Sequence, residues 1–228
     1  MKLLSLERQD FDQLIKDGCI YADKTEMIHQ IVTERKQVFL SRPRRFGKSL
    51  LLSTLANLFA GRKELFKGLW IENNWDWGET WPVIHFYMDK TLFEEIGLEL
   101  GLEKHLKEIA DGFGLVLRHE SPGLMLEELL IKVQEKSGKQ VVLLFDEYDK
   151  PINDCLNEPE MAEKHRKILS NFYGVLKPNS KRVRFLMLTG VSKFSQVSIF
   201  SKLNQLTDIT FNKDFLTLLG YKIGRAHV

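Results

Sequence analysis

The chain has 228 residues, 43% of them apolar, and is long enough for one sizeable domain with a well-buried core. Its 33 lysines and arginines against 31 acidic residues leave a net charge of +2, which gives no general electrostatic case for nucleic-acid binding. Cys19 and Cys155 are far apart in the sequence and indicate no disulfide framework. No apolar run approaches the roughly 20 residues of a membrane span, and the N-terminus lacks a signal-peptide pattern. We therefore expect a cytoplasmic protein.

In chain order, short apolar runs alternate with helical patterns. The runs are rich in β-branched or aromatic residues and are bounded by charge, Gly or Pro, which predicts buried strands of a parallel sheet. We predict strands over residues 37–41, 82–88, 141–147 and 184–190. We predict helical segments over residues 49–60, 92–117, 122–137 and 161–176. The alternation predicts an α/β fold, a mainly parallel sheet sandwiched by helices, with right-handed crossovers.

The carboxyl ends of the predicted strands indicate where a ligand binds. In open α/β sheets the binding crevice lies beyond those ends. Three of the four predicted strands end in polar residues, namely Ser41, the pair Asp146-Glu147, and Thr189.

The first strand leads into FLSRPRRFGKSLLLS, residues 39–53, which is close to the phosphate-binding pattern G-x-x-x-x-G-K-[ST]. Gly47, Lys48 and Ser49 fill its second half, while Arg42 occupies the first glycine position. A strand before the loop and a helix after it are the context that this motif requires. The alternative is a helix start with a solvated basic turn. The residues predicted to bind phosphates are Arg44, Arg45, Phe46, Gly47, Lys48, Ser49 and Leu50.

The third strand, VVLLFDEYDKP over residues 141–151, ends in two adjacent acids. In ATPases with this layout the first acid holds Mg²⁺ and the second activates the attacking water. We therefore predict Asp146 and Ser49 as the metal ligands and Glu147 as the catalytic base, with Lys48 assisting. The alternative is a polar strand end that meets solvent. Asp149 is a third acid, for which capping the turn before the proline is the favoured role.

The fourth strand ends in Thr189, where a polar residue can contact the γ-phosphate from a neighbouring strand. We predict Thr189 as a catalytic residue, with Ser192 as the alternative. Arg182 and Arg184 flank the same strand. They are candidate arginine fingers toward a neighbouring subunit, although solvated basic residues are the simpler interpretation.

With these residues identified, the chain resembles the bacterial AAA-ATPase-like family, predicted P-loop ATPases that are commonly followed by a PD-(D/E)xK nuclease-like domain. The resemblance runs from about Phe11 to Tyr221, and R-P-R-R-F-G-K-S is the family's own form of the loop. The matching segments are YADKTEMI (21–28), SRPRRFGKSLLLSTL (41–55), LFKGLWIENNWDW (65–77), PVIHFYMD (82–89), LLFDEYDKP (143–151) and LTGVSKFSQVSIFSKLNQLTDIT (188–210).

The resemblance implies a P-loop NTPase core of the additional-strand ATPase type that binds ATP and Mg²⁺. It also implies nucleotide-base contacts at Asp23-Lys24-Thr25, although a helix N-cap is the favoured interpretation there. For the four tryptophans, aromatic packing over the sheet edge is favoured over base stacking. These are Trp70, Trp75, Trp77 and Trp81.

We predict four segments along the chain. Residues 1–35 form a helical segment packing on the core, residues 36–211 the ATPase core, and residues 212–221 the start of a lid region that is missing. Residues 222–228, KIGRAHV, resemble a translated sequencing-library adapter, so we expect an artefact and a longer native protein; a genuine basic tail is the alternative.

The leading functional hypothesis is an ATPase that regulates a C-terminal effector absent from this chain, with a nuclease as the candidate effector. Nucleic acid would then be bound only through that missing domain. The alternatives are a P-loop phosphotransferase or kinase, against which Glu147 argues, and a non-enzymatic ATP-dependent switch. Ring assembly is often linked to this fold, so a homo-oligomer is a candidate by analogy alone.

Overall fold

A computed structural model describes residues 9–88, 92–191 and 206–220, and its central feature is a five-stranded parallel sheet. The strand order is β2-β3-β4-β1-β5, and every neighbouring pair is parallel. The four predicted strands are confirmed, whereas the two-residue β5 was not predicted. The strands are β1 (Gln37–Ser41), β2 (Val83–Tyr87), β3 (Val141–Asp146), β4 (Val183–Gly190) and β5 (Thr207–Asp208).

Helices cover both faces of this sheet, as a buried parallel sheet requires. They are α1 (Phe11–Lys16), α2 (Thr25–Glu34), α3 (Lys48–Phe59), α4 (Leu92–Ile96), α5 (Leu98–Gly112), α6 (Pro122–Ser137), α7 (Lys150–Asn153) and α8 (Pro159–Gly174). Short 3₁₀ turns occupy Lys63–Phe66, Trp70–Asn73, Ser180–Arg182 and Lys213–Phe215. Within the described ranges, no helix has the length and apolar character needed to cross a membrane.

Strand β4 lies between β1 and β3, which is the arrangement of the additional-strand type. Leu188 of β4 pairs with Phe39 of β1 on one side and with Phe145 of β3 on the other. The carboxyl ends of β1, β4 and β3 therefore lie side by side. The predicted fold class, an α/β fold consistent with a P-loop NTPase, is confirmed.

The side chains of each strand alternate between two buried layers. Val38 and Leu40 of β1 pack in the layer that includes α3, whereas Phe39 packs in the layer that includes α5, α6 and α8. In β3, Val142 and Leu144 face α3. By the two-residue period of a strand, Asp146 projects on the same side as α3 and the loop before it.

One predicted helix was wrong in extent. The segment predicted as helical over 92–117 is divided at Gly97 and ends at Gly112. Gly97 and Gly114 have φ values of 83° and 63°, a conformation that interrupts helices. By contrast, α6 has the predicted bounds 122–137: Ser121 caps it through its side chain, and Gly138 ends it at φ 68°.

Candidate functional site

The loop between β1 and α3 is anchored by the arginine that replaces the usual first glycine. The backbone N–H of Arg42 donates to Gly190 O at 3.1 Å, which extends the β1–β4 pairing by one residue. Its guanidinium donates to Ser41 O at 3.0 Å and also to Thr210 O. Arg42 therefore ties the loop to the end of β5.

The loop reaches α3 through two left-handed residues, Arg45 at φ 66° and Gly47 at φ 89°. Gly47 is the N-cap of α3 and has no side chain to cap the helix. The first turn of any helix leaves backbone N–H groups without intrahelical partners, and the helix dipole favours an anion there. Arg44, Arg45 and Phe46 lie exposed beside this helix start.

Lys48 is 5% exposed and lies beneath the loop. Its ammonium donates to the carbonyl oxygens of Arg42 and Pro43, both at 3.0 Å. Burial lowers the pKa of Lys48, against opposing contributions from Glu147, Asp146 and Asp149. All three acids at the end of β3 and directly after it thus act on the pKa of Lys48.

Asp146 ends β3 in a buried position with 4% exposure. Its Oδ1 accepts a hydrogen bond from the Thr189 hydroxyl at 2.6 Å. Its Oδ2 accepts none from the residues that the structure describes. A buried carboxylate with one fixed oxygen and one available oxygen suits a hard cation, and Ser49, half-buried in the first turn of α3, adds a hydroxyl of the same type. These two residues fit the predicted Mg²⁺.

Glu147 follows Asp146 with a φ of 54°. In a continuing strand these neighbours would project to opposite faces. The left-handed backbone ends the strand instead. Among the carboxylates, Glu147 raises the pKa of Lys48 the most. Of the described non-glycine residues, only Arg45 and Glu147 have a positive φ. Such strain concentrates at functional sites, and both residues were predicted to belong to this site.

Thr189 is fully buried, and its hydroxyl is directed at Asp146. Thr189 therefore contacts the predicted metal ligand Asp146. Its contact with the γ-phosphate stays a prediction. The alternative, Ser192, lies outside the described residues, as does most of the segment 191–206.

Asp149 is fully buried and holds the end of β4 in place. Its Oδ2 accepts hydrogen bonds from Val191 N at 3.0 Å and from Asn153 Nδ2 at 2.9 Å. Its side chain makes no capping hydrogen bond to α7. Asp149 is the N-cap residue of α7, as the favoured interpretation placed it, but its side chain links two strand ends.

The structure gives Asp23 and Thr25 a packing role. Asp23 accepts hydrogen bonds from Thr25 N and Oγ1 at 2.8 and 2.6 Å, and from Trp70 N at 2.7 Å. Thr25 Oγ1 in turn accepts from Ile71 N at 3.1 Å. These contacts hold the turn Trp70–Asn73 against α2.

The tryptophans separate into a packed group and an exposed member. Trp75, Trp77 and Trp81 pack against the core layer that contains α3, whereas Trp70 is 37% exposed and contacts the His29 ring edge-on. The favoured interpretation as aromatic packing agrees with the first three.

The two arginines near β4 lie at its amino end, away from the loop. Arg182 donates to Gln134 Oε1, and the Arg184 guanidinium lies 5.2 Å from the centroid of the Trp81 ring. Both contact the chain's own residues, and a role as arginine fingers stays a prediction.

Strand β2 carries two polar residues toward the same sheet edge that were not predicted as site residues. His85 and Tyr87 alternate with the fully buried Ile84 and Phe86. This alternation in the sequence could have indicated the two residues, because it is typical of a strand with one less buried face. Tyr87 pairs in register with Asp146.

Comparisons with known proteins give a family match and a similar protein. The sequence pattern of the AAA-ATPase-like family, described as predicted AAA-ATPase, matches residues 6–200. The chain is also similar to the "Uncharacterized protein in vnfD 5'region" of Azotobacter chroococcum mcd 1, with 42% identity over 206 residues. The match covers 90% of this chain and 40% of that relative, so the chain spans less than half of the relative's length. No solved structure gives a significant match.

Proposed function

The chain belongs to the AAA-ATPase-like family of predicted AAA-ATPases, and from this premise we propose that its carboxyl sheet edge binds ATP with Mg²⁺ and hydrolyses it. One observation carries the proposal: the buried Lys48, at the start of α3 directly after the β1 loop, lies at the sheet edge where β3 ends in Asp146, with only β4 between the two strands. A lysine on a helix start facing strand-end acids is the arrangement that phosphoryl transfer uses.

The loop and the start of α3 bind the phosphates in this proposal. The backbone N–H groups at the start of α3 bind phosphate oxygens, and the Lys48 ammonium exchanges its loop carbonyl partners for the outer phosphates. Arg44 and Arg45, exposed beside the loop, add positive charge to the same group. Phe46, exposed in the loop, and Leu50, in the first turn of α3, complete the proposed nucleotide contacts.

The acids complete the reaction. Ser49 and Asp146 would hold Mg²⁺, which when bound neutralises phosphate charge. Glu147 accepts a proton from the attacking water as the water oxygen bonds to the γ-phosphorus and the bond to the β–γ bridging oxygen breaks. Thr189 fixes the orientation of Asp146.

The test compares two variants that separate binding from turnover. Lys48→Ala should abolish ATP binding, measured by calorimetry, whereas Glu147→Gln should bind ATP and release no phosphate. Lys164→Ala and Glu160→Gln, both at exposed positions of α8, are matched controls that should behave as wild type. Unchanged phosphate release in both site variants would refute the proposal.

Two other functions give distinct results in the same assays. A phosphotransferase would move labelled γ-phosphate to an acceptor other than water. An ATP-dependent switch would bind ATP tightly with negligible turnover in the wild type as well. We also propose control of a C-terminal effector such as a nuclease, a homo-oligomeric state and a cytoplasmic location.

A further inference from the structure

The end of β2 carries a hydrogen-bonded pair beside the predicted metal ligand. Tyr87 is the last residue of β2 and the register partner of Asp146 in β3. Paired residues of neighbouring strands project to the same face, so Tyr87 lies on one side of Asp146 while Thr189 hydrogen-bonds to it from the other. Thr189 occupies Oδ1, and Oδ2 remains without a hydrogen bond from the described residues.

His85 holds the ring and hydroxyl of Tyr87 in place. The two residues lie two positions apart on one face of the strand, with ring centroids 4.1 Å apart and an interplanar angle of 31°. The Tyr87 hydroxyl and His85 Nδ1 are hydrogen-bonded at 3.0 Å. Strand β2 lies at the edge of the described sheet, and Tyr87 is 43% exposed. The contact with His85 therefore restricts a side chain that has few other neighbours.

His85 carries a buried nitrogen without a hydrogen bond, which lowers the stability of the fold. Its Nε2 is buried and has no hydrogen-bond partner among the described residues. An unpaired buried nitrogen destabilises a protein, so an apolar ring would serve better if the position only filled space. The polar contact that His85 makes from this position is the one to Tyr87.

Burial shifts the pKa values of both residues toward their uncharged forms. Burial lowers the pKa of His85 to about 4, against opposing effects of Asp146 and Asp10. Burial, Asp10 and Asp146 all raise the pKa of Tyr87.

We propose that Tyr87, oriented by His85, is a positioning residue of the ATP site, whose hydroxyl hydrogen-bonds to water at the free oxygen of Asp146. The inference rests on the proposed function. Whichever group donates in the contact with His85, the tyrosine oxygen keeps one further hydrogen-bonding capacity, so it can bind that water in either case. Water ordered in this way belongs to the hydration shell of a cation held by Asp146, because Mg²⁺ keeps several of its waters in protein sites.

The test measures the affinity of the full chain for the non-hydrolysable analogue AMP-PNP by calorimetry, in Mg²⁺ and in EDTA. Tyr87→Phe and His85→Phe should leave the affinity in EDTA unchanged and weaken it about fivefold in Mg²⁺, the effect of roughly one hydrogen bond. The kcat for ATP should fall by a similar factor. His85→Asn, which keeps a polar group near the Nδ1 position, should restore affinity to within about twofold of wild type.

Thermal unfolding separates this role from a structural one. His85→Phe should be as stable as wild type or more stable, because it removes the unpaired nitrogen. If that variant fails to fold, Tyr87→Phe alone decides, since it removes one oxygen from a half-exposed ring. The inference is overturned if Tyr87→Phe keeps the wild-type affinity in Mg²⁺, or if it loses affinity equally in Mg²⁺ and EDTA. Absence of AMP-PNP binding by the wild type would instead refute the proposed function, and this inference with it.

Discussion

The hydroxyl of Thr189 donates a 2.6 Å hydrogen bond to Oδ1 of Asp146, which joins the carboxyl ends of β4 and β3. The threonine is fully buried and the aspartate is 4% exposed. A hydrogen bond to a buried carboxylate is short and strong because one partner is charged. It fixes the orientation of the carboxylate that we propose as a metal ligand.

Replacing Thr189 with Val should destabilise the fold. Valine has the same shape and removes only the hydroxyl, so Oδ1 of Asp146 stays buried without a partner. The expected loss is about 1–3 kcal/mol in the free energy of unfolding, measured with urea. Thr189→Ser keeps the hydroxyl and should recover most of that loss. Equal stability of the valine variant and wild type would show that the hydrogen bond is not significant in solution.

Arg45→Gly should make the protein more stable and less able to bind nucleotide. Arg45 has a φ of 66°, which glycine adopts without steric cost. Relief of strain, partly offset by the added flexibility of the unfolded chain, should raise the free energy of unfolding by about 0.5–1 kcal/mol. Loss of the guanidinium should weaken ATP binding about tenfold or more if Arg45 pairs with phosphate.

Arg44→Gly is the matched control for this change. Arg44 is also an exposed arginine of the loop, but its φ is not positive, so glycine relieves nothing there. Its stability should stay constant or fall by about 0.5–1 kcal/mol. A gain in stability for Arg45→Gly together with wild-type ATP affinity would remove Arg45 from the phosphate site.

The fold followed from local patterns that are strong in this sequence. The four main strands are short segments rich in apolar residues, and the ends of α6 are marked by Ser121 and Gly138. Strand β5 was missed because two residues carry no periodicity; its pairing with Val38 and Phe39 depends on the rest of the sheet. The break at Gly97 was missed because a single glycine does not reveal its φ.

The site was predictable in its residue types and not in its contacts. The spacing of Gly47, Lys48 and Ser49 indicated a phosphate loop, but the role of Arg42 depends on Thr210, which is 168 positions away. Similarly, the side chain of Thr189 faces Asp146 because of the sheet register, which no local pattern specifies.

Gly190→Ala should disrupt the end of β4. A Cβ at this position would lie 2.5 Å from Tyr148 Cε1 and 2.7 Å from Asp149 Oδ1. Neither neighbour has room to move, because Tyr148 is fully buried against Phe39 and Asp149 is held by Val191 N. We expect a loss of about 1–3 kcal/mol in unfolding free energy. Gly112→Ala, where a Cβ meets nothing within 4 Å, is the control and should not be less stable than wild type.

Glu128 should make the stability of the protein depend on pH between about 4.5 and about 2. Its carboxylate holds the segment after α5 by accepting hydrogen bonds from Arg118 N and His119 N at 2.8 and 3.1 Å, and it pairs with Lys132 at 2.6 Å. Although burial acts to raise it, these groups lower the pKa of Glu128 from 4.5 to about 2.

Because the pKa of Glu128 is lower in the folded state, its contribution is fully present above the unfolded value of 4.5 and is lost as the pH falls toward about 2. Glu128→Gln should therefore be less stable than wild type at pH 7, and urea denaturation should show the difference shrinking as the pH approaches 2. Glu135→Gln, at an exposed position of the same helix, is the control. A difference between Glu128→Gln and wild type that stays constant over this range would mean that the carboxylate charge does not stabilise the segment.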